Sequence, residues 1–224
     1  MLTHPLLREA GVEHGFALRD TPMRPDLLRP RQVHGTRVVS AADCRERPPP
    51  EADAVVSAEP AVAVGVVTAD CVPVLLAARS GRVVAAVHAG WRGLAAGVVA
   101  QGVDAVRRNL AIGDGVSEPL LAAVGPHIGA CCYEVDAPVL DALAARFGPL
   151  GDAQRPVRPG HALLDLGALV ARDLVSAGLA AEHVAHLPDA CTRCDAQRFH
   201  SYRRDGARAG RLWHFVAATP SPPT

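Results

Sequence analysis

The sequence contains no lysine, so all 23 of its basic side chains are arginines. This absence excludes enzymes that form a Schiff base on lysine and nucleotide-binding loops that depend on a P-loop lysine. A bound phosphate or carboxylate would be held by arginine, whose planar guanidinium suits bidentate contacts. The 23 acidic residues bring the formal net charge to +0, so neither nucleic acid nor an anionic membrane is expected as a partner.

Long hydrophobic runs and a secretory signal are also missing from the sequence. The N-terminal stretch MLTHPLLREAGVEHG has no basic segment followed by an apolar run, and glycine, aspartate or histidine interrupts the apolar stretches elsewhere. We therefore expect a cytoplasmic protein without a membrane segment. In that compartment the six cysteines would be thiols that serve packing, metal binding or catalysis rather than disulfide bonding.

Strand and helix patterns mix along the chain without a regular βαβ alternation. Apolar, β-branched segments predict strands at 61–69, 72–78, 83–89, 119–125, 183–187 and 211–218. Helical spacing of apolar residues predicts helices at 93–110, 137–148 and 161–179, whereas 20–31 and 45–52 have the composition of loops. We predict an α+β fold: a single layered domain over residues 1–218, with mixed β-sheets flanked by helices, and a disordered tail at 219–224.

Three short segments each place one metal-binding side chain beside small residues. They are RQVHGTRV (31–38), VTADCVPVLL (67–76) and AAVHAGWRG (85–93), and they carry His34, Cys71 and His88. The strands at 72–78 and 83–89 form a predicted hairpin, which brings Cys71 and His88 together across it. Two histidines and one cysteine can hold Zn²⁺ with a fourth position open for water or substrate. Taken one at a time, a histidine at a strand end is more often a satisfied core or surface residue than a ligand, and a lone buried cysteine is more often inert packing.

The other cysteines favour a structural interpretation. Cys131 and Cys132 are adjacent, so we expect their side chains to point apart, with at most one of them facing the site. Cys191 and Cys194 form a CxxC pair, but no second CxxC is present to complete a four-cysteine zinc site. We therefore predict that this pair has a structural or cleft-lining role.

Two further segments complete a set of motifs that occur in a fixed order. GPHIGACCYEV (125–135) and CTRCDAQRFHSYRRDGARAGR (191–211), together with the three segments above, closely resemble the YfiH-type family, also called the laccase-domain or multicopper polyphenol oxidase family. The resemblance runs from about residue 31 to the end of the chain. It implies a layered α/β fold and a zinc-dependent purine nucleoside phosphorylase that acts on adenosine, inosine and methylthioadenosine. Adenosine deamination is a further activity that it implies.

The resemblance also assigns residues to the site. His34, Cys71 and His88 would be the catalytic residues and would bind the zinc ion, and purine nucleosides and phosphate would be the substrates. Metal and arginine together could orient phosphate, and the candidate arginines are Arg92, Arg203 and Arg204. Asp70 is a candidate for substrate binding, for general base catalysis, for support of the metal ligands or for a buried structural role. The aromatic side chains that could stack on a purine, or pack in the core, are Trp91, Tyr133, Phe199 and Tyr202.

One departure from the family pattern lies before the first motif. Only HGFALRDTPMRPDLLRP stands between residues 14 and 30, where family members carry a longer glycine-containing region, so contacts to substrate or to a second subunit that this region supplies are in doubt. A monomer or a homodimer is expected.

Three alternatives remain open at this stage. A copper-binding polyphenol oxidase is disfavoured, because the only methionines, Met1 and Met23, lie outside the ligand motifs and no His-x-His pair is present, although copper could occupy a His₂Cys site. A cysteine hydrolase would use Cys71 as nucleophile and His88 as base. A non-catalytic, metal-stabilised binding module would keep the metal without turnover.

Overall fold

The computed structural model describes residues 1–113 and 117–219. Within them the chain forms twelve strands and six α-helices. The strands are β1 (Glu13–Phe16), β2 (Val38–Ser40), β3 (Ala54–Ser57), β4 (Ala63–Thr68), β5 (Val72–Ala78), β6 (Val84–Ala89), β7 (Leu120–Val124), β8 (Glu134–Asp136), β9 (Gln154–Arg158), β10 (His161–Leu164), β11 (Val184–His186) and β12 (Leu212–Ala217). The helices are α1 (Pro5–Glu9), α2 (Trp91–Ala96), α3 (Val98–Gly113), α4 (Ala137–Phe147), α5 (Leu166–Ser176) and α6 (Tyr202–Asp205).

Three sheets organise these strands. The largest has six strands in the order β11-β7-β5-β6-β3-β2, and its two outer pairs, β11 with β7 and β2 with β3, are parallel while the inner pairs are antiparallel. Two three-stranded sheets have the orders β1-β12-β4 and β8-β10-β9. The prediction of an α+β fold with mixed sheets and flanking helices is confirmed.

The six-stranded sheet is buried on both faces. On β5, Val74 and Leu76 pack into a core shared with α2 to α5, whereas Leu75 and Ala77 pack into a second core shared with the β1-β12-β4 sheet. A strand that is covered on both faces is apolar at every position, since neither set of alternating side chains reaches water. This double burial explains why segments 72–78 and 83–89 contain continuous apolar runs.

The predicted hairpin forms between β5 and β6, and its register places the two ligand candidates. Pro73 lies opposite His88 and Val72 lies opposite Ala89, so Cys71 is the diagonal neighbour of His88. Side chains alternate between faces along a strand, and His88 follows Val84 and Ala86 of β6 on the face that meets the β1-β12-β4 sheet. The hairpin therefore brings Cys71 and His88 together at one end of the central strands.

The predicted helix at 93–110 is divided into two. Gly97 adopts a left-handed conformation with φ of 95°, and its backbone N–H bonds to the carbonyls of Gly93 and Leu94 to end α2. A left-handed residue favours glycine and interrupts the helical hydrogen-bond ladder, so α3 begins again at Val98. The predicted helix at 137–148 is confirmed as α4, which Gly148 ends with φ of 71°.

The prediction of one helix over 161–179 is wrong for its first residues. His161 to Leu164 form β10, which pairs antiparallel with β8 and β9. The Asp165 side chain then accepts a hydrogen bond from Ala168 N at 2.8 Å and caps the start of α5. The apolar residues of HALL (161–164) fit the two-residue period of a strand as well as the period of a helix. The capping residue Asp165 marks the true start of the helix.

Two remaining expectations concern the tail and membrane insertion. Apart from Thr219, the tail predicted to be disordered lies outside the described residues. Among the residues that the structure describes, none of the helices has the length and apolar character needed to cross a bilayer.

Candidate functional site

The three ligand candidates converge at the open end of the β5–β6 hairpin. The side-chain donor atoms of His34, Cys71 and His88 all lie within 4.8 Å of one another. Cys71 Sγ is 3.8 Å from His34 Nε2, and the two imidazole rings meet edge to face with centroids 4.8 Å apart. His88 is buried and His34 is exposed, so the cluster opens to solvent on one side only. The structure thus brings together the three residues that the sequence motifs proposed as ligands.

A buried carboxylate, Asp53, organises two of the three ligands. Its Oδ1 lies 2.8 Å from His88 Nδ1 and 2.9 Å from His34 N, and its Oδ2 accepts from Gly35 N at 2.7 Å and Val33 N at 3.1 Å. Asp53 is fully buried. Because His88 Nδ1 is engaged by a carboxylate, its Nε2 is the nitrogen available to a metal. A carboxylate behind a ligating histidine fixes its tautomer and increases its basicity as a ligand.

The backbone is strained at two positions in this region. His34 has φ of 60° and Asp70, the residue before Cys71, has φ of 87°. Left-handed backbone costs on the order of 1–3 kcal/mol for a non-glycine residue and persists only where the surroundings enforce it. At His34 this conformation is enforced by three hydrogen bonds, which the backbone N–H groups of residues 33–35 donate to Asp53. The local strain therefore coincides with the positions that aim the His34 and Cys71 side chains.

The charges of Cys71 and His88 depend on each other. Burial opposes ionisation of Cys71, but hydrogen bonds from His34 and His88 outweigh it and lower the pKa of the thiol to about 6. Burial also opposes protonation of His88, but Asp53 and Cys71 outweigh it and raise the pKa of the imidazole to about 9. These opposite shifts favour a thiolate at Cys71 beside an imidazolium at His88. The thiolate is the form that binds metal, and binding must release the His88 proton.

Gly90 leaves the space in which the three ligands meet. A Cβ at this position would lie 2.7 Å from His34 Cδ2 and 3.2 Å from Cys71 Sγ. The close approach of these side chains is therefore the reason that the position needs glycine. Its backbone conformation, with φ of −72°, is accessible to other residues. Two nitrogens and one thiolate around a protected gap are the donor set of a catalytic zinc site with one open position. The residues present fit a zinc ion, which His34, Cys71 and His88 would hold.

Replacing Gly90 with alanine tests this gap. The added methyl group should displace His34 and Cys71 by a few tenths of an ångström, and we expect the zinc dissociation constant to rise about tenfold or more. Zinc titration with a competing chelator measures the change, and far-ultraviolet circular dichroism checks that the fold is unchanged. Wild-type zinc affinity in Gly90→Ala would contradict the assignment of this gap to the metal.

A cavity of about 570 Å³ surrounds the three ligands. Several separate chain segments build its walls, and it is large enough for a small organic ligand of nucleoside size. Its lining consists of Arg29, Arg31, Gln32, His34, Val67, Thr68, Ala69, Asp70, Cys71, His88, Trp91, Arg92, Ile128, Tyr133, Tyr202, Arg203 and Arg211. The structure therefore brings the three ligands, Asp70 and two of the three candidate arginines into one cavity.

Two arginines are held over aromatic rings at the cavity wall. The guanidinium carbon of Arg92 lies 4.3 Å from the centre of the Trp91 ring. That of Arg203 lies 5.1 Å from the Tyr133 ring, and Arg203 Nη1 donates to Glu134 O at 2.7 Å. Stacking on an aromatic face restricts a guanidinium and leaves its edge available for an anion. These two cations are therefore oriented before any ligand binds.

Arg204 and Phe199 lie elsewhere. Arg204 pairs with Asp205 through two bonds of 3.0 and 2.9 Å and donates to the carbonyls of Thr192 and Phe199, both at 2.9 Å. Its side chain lines a separate surface depression with Arg19. Phe199 is fully buried and packs with Leu212, so of its two proposed roles, purine stacking and core packing, the structure places it in the core. Trp91, Tyr133 and Tyr202 line the cavity.

Asp70 ties three segments to the residue that precedes Cys71. Its Oδ1 accepts from Thr192 Oγ1 and its Oδ2 accepts from Arg203 N, both at 2.6 Å. Its backbone carbonyl accepts from Ile128 N at 3.0 Å. Both carboxylate oxygens of Asp70 are thus hydrogen-bonded within the protein. Of the four roles expected for Asp70, this arrangement fits the buried structural one. Through Arg203 N, Asp70 also fixes where the Arg203 side chain begins.

The four remaining exposed or half-buried cysteines converge on a second point. The thiols of Cys131, Cys132, Cys191 and Cys194 all lie within 4.8 Å of one another. Cys131 Sγ and Cys132 Sγ are 3.6 Å apart, so the expectation that these adjacent side chains point apart is wrong. Neighbouring side chains point to opposite sides in a strand. Cys131 and Cys132 lie instead in a turn, which a hydrogen bond from Cys132 N to Gly129 O closes.

Several residues of the site are not among the candidates that the sequence motifs offered. Asp53 is the most important of them. It directly precedes β3, and the pairing of β3 with β6 places Asp53 beside His88. That position is the sequence feature that could have pointed to it. Arg29, Arg31 and Arg211 also line the cavity. Arg29 and Arg31 stand in the predicted loop at 20–31, and Arg31 also begins the motif RQVHGTRV. Their proximity depends on the long-range contact of that loop with β4, which a local pattern does not report.

The sequence profile of a family described as multi-copper polyphenol oxidoreductase laccase matches residues 15–219. This chain belongs to that family. The resemblance to the YfiH-type, laccase-domain family, first drawn from five ordered motifs, is therefore confirmed. Among the described residues, only one of the two ligand clusters in this laccase-family protein contains histidine.

Three relatives illustrate the range of the family. A purine nucleoside phosphorylase of Pseudomonas aeruginosa is 42% identical over 187 residues, which cover 83% of this chain and 71% of the relative. An adenosine deaminase from an unknown prokaryotic organism is 34% identical over 197 residues, covering 84% and 73%. The crystal structure of a Neisseria meningitidis protein matches with a TM-score of 0.76 and 36% identity, covering 87% of this chain and 75% of that one.

Proposed function

We propose that this laccase-family protein is a zinc-dependent purine nucleoside phosphorylase acting on adenosine, inosine and methylthioadenosine. The observation that carries the proposal is the meeting, in one cavity, of the His34–Cys71–His88 cluster with two preoriented arginines and three aromatic side chains. A relative named purine nucleoside phosphorylase at 42% identity supports the same reaction. Each substrate joins a flat purine to C1′ of a ribose, or of a 5-methylthioribose in methylthioadenosine, and phosphate is the second reactant.

The reaction forms a bond between a phosphate oxygen and C1′ of the ribose, while the bond from C1′ to purine N9 breaks and its electron pair leaves with the base. A zinc ion, when bound, would supply positive charge for an oxygen ligand. The side chains of this chain supply orientation. Asp53 holds the His88 ring through Nδ1 and holds the His34 backbone, so both ligands stay fixed without substrate.

Phosphate is assigned to Arg92 and Arg203. Their guanidinium groups stack on Trp91 and Tyr133 respectively, so little side-chain entropy is lost when an anion binds. Arginine suits a phosphate because its fork can donate two parallel hydrogen bonds. Two cations on one cavity wall would also stabilise the negative charge that gathers around the phosphate and the departing base.

The purine is assigned to the aromatic side of the cavity. Trp91, Tyr133 and Tyr202 are three of only eight aromatic residues in the sequence, and all three line it. Burial, followed by the nearby Cys71 charge, raises the pKa of Tyr133 to about 12, so its hydroxyl stays protonated at neutral pH and can donate a hydrogen bond. A protonated phenol beside a flat apolar wall suits a heterocycle with ring-nitrogen acceptors.

Replacing Arg203 with alanine should weaken the binding of phosphate more than the binding of the nucleoside. A hydrogen bond to a charged group contributes about 1.5–3 kcal/mol, so we expect the KM for phosphate to rise about 10- to 100-fold, while the KM for adenosine changes less. Initial rates at varied phosphate measure this. Arg208→Ala removes an exposed arginine outside the cavity and serves as the matched control. Equal effects of the two variants would remove Arg203 from the phosphate site.

Adenosine deamination is a second candidate, because a relative named adenosine deaminase is 34% identical over 84% of this chain. Deamination replaces the amino group at purine C6 with oxygen from water and needs no phosphate. The two reactions place different atoms of the nucleoside near the metal: the ribose C1′ side for phosphorolysis and purine C6 for deamination. Product analysis therefore distinguishes them.

The experiment is to incubate adenosine with the zinc-loaded protein, with and without phosphate, and to separate the products. Phosphorolysis predicts adenine and ribose 1-phosphate in equal amounts, and only when phosphate is present. Inosine and ammonia formed without phosphate would support deamination. If neither set of products forms with a stoichiometric zinc content, the catalytic proposal fails and a metal-stabilised binding module becomes the better account.

Two alternatives are less well supported by the geometry. A cysteine hydrolase would use the thiolate of Cys71 and the imidazolium of His88, which the lowered pKa of Cys71 and the raised pKa of His88 favour. His34, however, lies at the same thiolate, and three converging donors indicate metal binding more than nucleophilic catalysis. A polyphenol oxidase with several coppers would need further histidine clusters, and the described residues offer one that includes histidine.

A further inference from the structure

The four-cysteine cluster stands apart from the cavity just described. Two of its thiols come from Cys131 and Cys132, and two come from Cys191 and Cys194, about sixty residues later in the chain. Four of the sulfur–sulfur distances in the cluster are 3.6, 3.6, 3.5 and 3.3 Å. Each of the four side chains therefore touches others of the set, although nothing in the proposed phosphorolysis uses them.

The sulfur spacing matches that around one tetrahedral metal ion. Four thiolates at about 2.3 Å from a zinc ion are about 3.8 Å from one another, only a few tenths of an ångström above the distances seen here. A disulfide needs sulfurs about 2.05 Å apart, so no pair is bonded. Hydrophobic packing does not account for the arrangement either, because Cys131 and Cys194 are exposed.

The surrounding backbone is arranged to hold sulfur in this position. Gly129 N donates to Cys191 Sγ at 3.2 Å, and a Cβ on Gly129 would lie only 3.3 Å from Cys191 Cβ and 3.4 Å from Cys131 Sγ. Residues His127 and Cys191 pair as a parallel bridge, which joins the two segments beside the cluster.

We propose that Cys131, Cys132, Cys191 and Cys194 bind a second zinc ion, which has a structural role. Four protein ligands close a zinc site, whereas the three ligands at His34, Cys71 and His88 leave a position open. The second ion joins two segments that contribute to the cavity. Tyr133 follows Cys132 directly, and Thr192, within the CxxC pair, donates to Asp70 at 2.6 Å. The ion thereby fixes the wall that carries Tyr133 and the anchor of Arg203.

Elemental analysis of the full chain, purified under reducing conditions without chelator, tests the proposal. We expect two zinc ions per chain in the wild type. Cys191→Ser with Cys194→Ser should remove one, Cys71→Ser should remove the other, and Cys44→Ser, which replaces a buried cysteine outside both clusters, should keep two. At most one zinc in the wild type, retained in the Cys191→Ser/Cys194→Ser protein, would overturn the proposal, as would iron in place of zinc.

Zinc-edge X-ray absorption on Cys71→Ser keeps the test decisive if the double variant does not fold. The remaining zinc in that protein should be surrounded by four sulfurs at about 2.3 Å and by no nitrogen. A mixed nitrogen and sulfur shell would contradict the second site. These results are independent of the proposed reaction: a one-zinc protein with full phosphorolysis rejects only the structural ion, and a two-zinc protein without turnover rejects only the enzyme.

Discussion

Cys71→Ala is expected to abolish adenosine phosphorolysis and to remove one zinc ion per chain. Alanine eliminates the only thiolate of the three-ligand cluster and leaves two histidines, which bind zinc far more weakly than a complete set. We expect kcat/KM to fall by about a thousandfold or more, since metal-dependent stabilisation of the transition state is lost. Steady-state rates of ribose 1-phosphate formation, with zinc content measured on the same sample, check the result.

The Cys44→Ala variant is the matched control for Cys71→Ala. Cys44 is buried outside both ligand clusters, and burial raises the pKa of its thiol to about 11, so it stays protonated. This control should keep both zinc content and turnover. Loss of zinc without loss of turnover in Cys71→Ala would show that the ion is not catalytic. Alkylation of Cys71 that a bound zinc does not slow would instead favour a cysteine nucleophile.

Asp53→Ala is expected to have the second largest effect, on both stability and zinc affinity. The substitution leaves three backbone N–H groups, those of Val33, His34 and Gly35, without their acceptor. It also removes the partner of His88 Nδ1. Breaking a buried ionic pair costs about 3–5 kcal/mol, and loss of the carboxylate behind a ligating histidine weakens metal binding about 10- to 100-fold. Chemical denaturation and zinc competition measure the two effects separately.

Asp173→Ala is the control for Asp53→Ala. It shows whether the loss of any buried carboxylate weakens zinc binding or only the loss of Asp53. Asp173 is also buried and accepts from Arg146 Nη2 at 2.8 Å, but it lies outside the cavity. We expect the zinc dissociation constant of this variant to stay within about twofold of wild type, although a buried carboxylate has been removed. If both variants weaken zinc equally, Asp53 acts only through general stability and its role at His88 is wrong.

The pKa of Asp53 fits its role in holding the cluster. Burial opposes its ionisation, but hydrogen bonds from His88 and from the backbone of Gly35 and Val33 outweigh this and lower its pKa. A depressed carboxylate pKa contributes stability that is fully present above the unfolded value near 3.9 and is lost as the pH falls through the folded value. The Asp53 contribution is therefore constant across the neutral range, where the phosphorolysis assay is run.

Much of the central fold could be predicted because local patterns and tertiary structure agree there. The strands at 72–78 and 83–89 are apolar throughout, since helices cover one face and a second sheet covers the other. A short turn joins them, so the hairpin pairing of Cys71 and His88 is local in sequence. His34 was placed by its motif alone, because nothing near it in sequence reports its contact with Asp53, nineteen residues away.

The errors arise where long-range contacts decide. Residues 161–164 form a strand because β8 and β9 lie on either side of them, although their spacing suits a helix equally. The cysteine cluster was missed because its two halves look different: a vicinal pair in one segment and a CxxC pair in the other. A tight turn at Gly129 rotates the vicinal pair to the same side, which strand alternation does not allow.

The central claim is that the ion held by His34, Cys71 and His88 supports phosphate-dependent cleavage of purine nucleosides. The most direct measurement is ribose 1-phosphate formation from adenosine and phosphate by one preparation in three states: as purified, after a chelator has removed the ion from the three-ligand site, and after zinc has been restored. The account predicts that activity disappears with that ion and returns with it. Full phosphorolysis by the metal-depleted protein would contradict it.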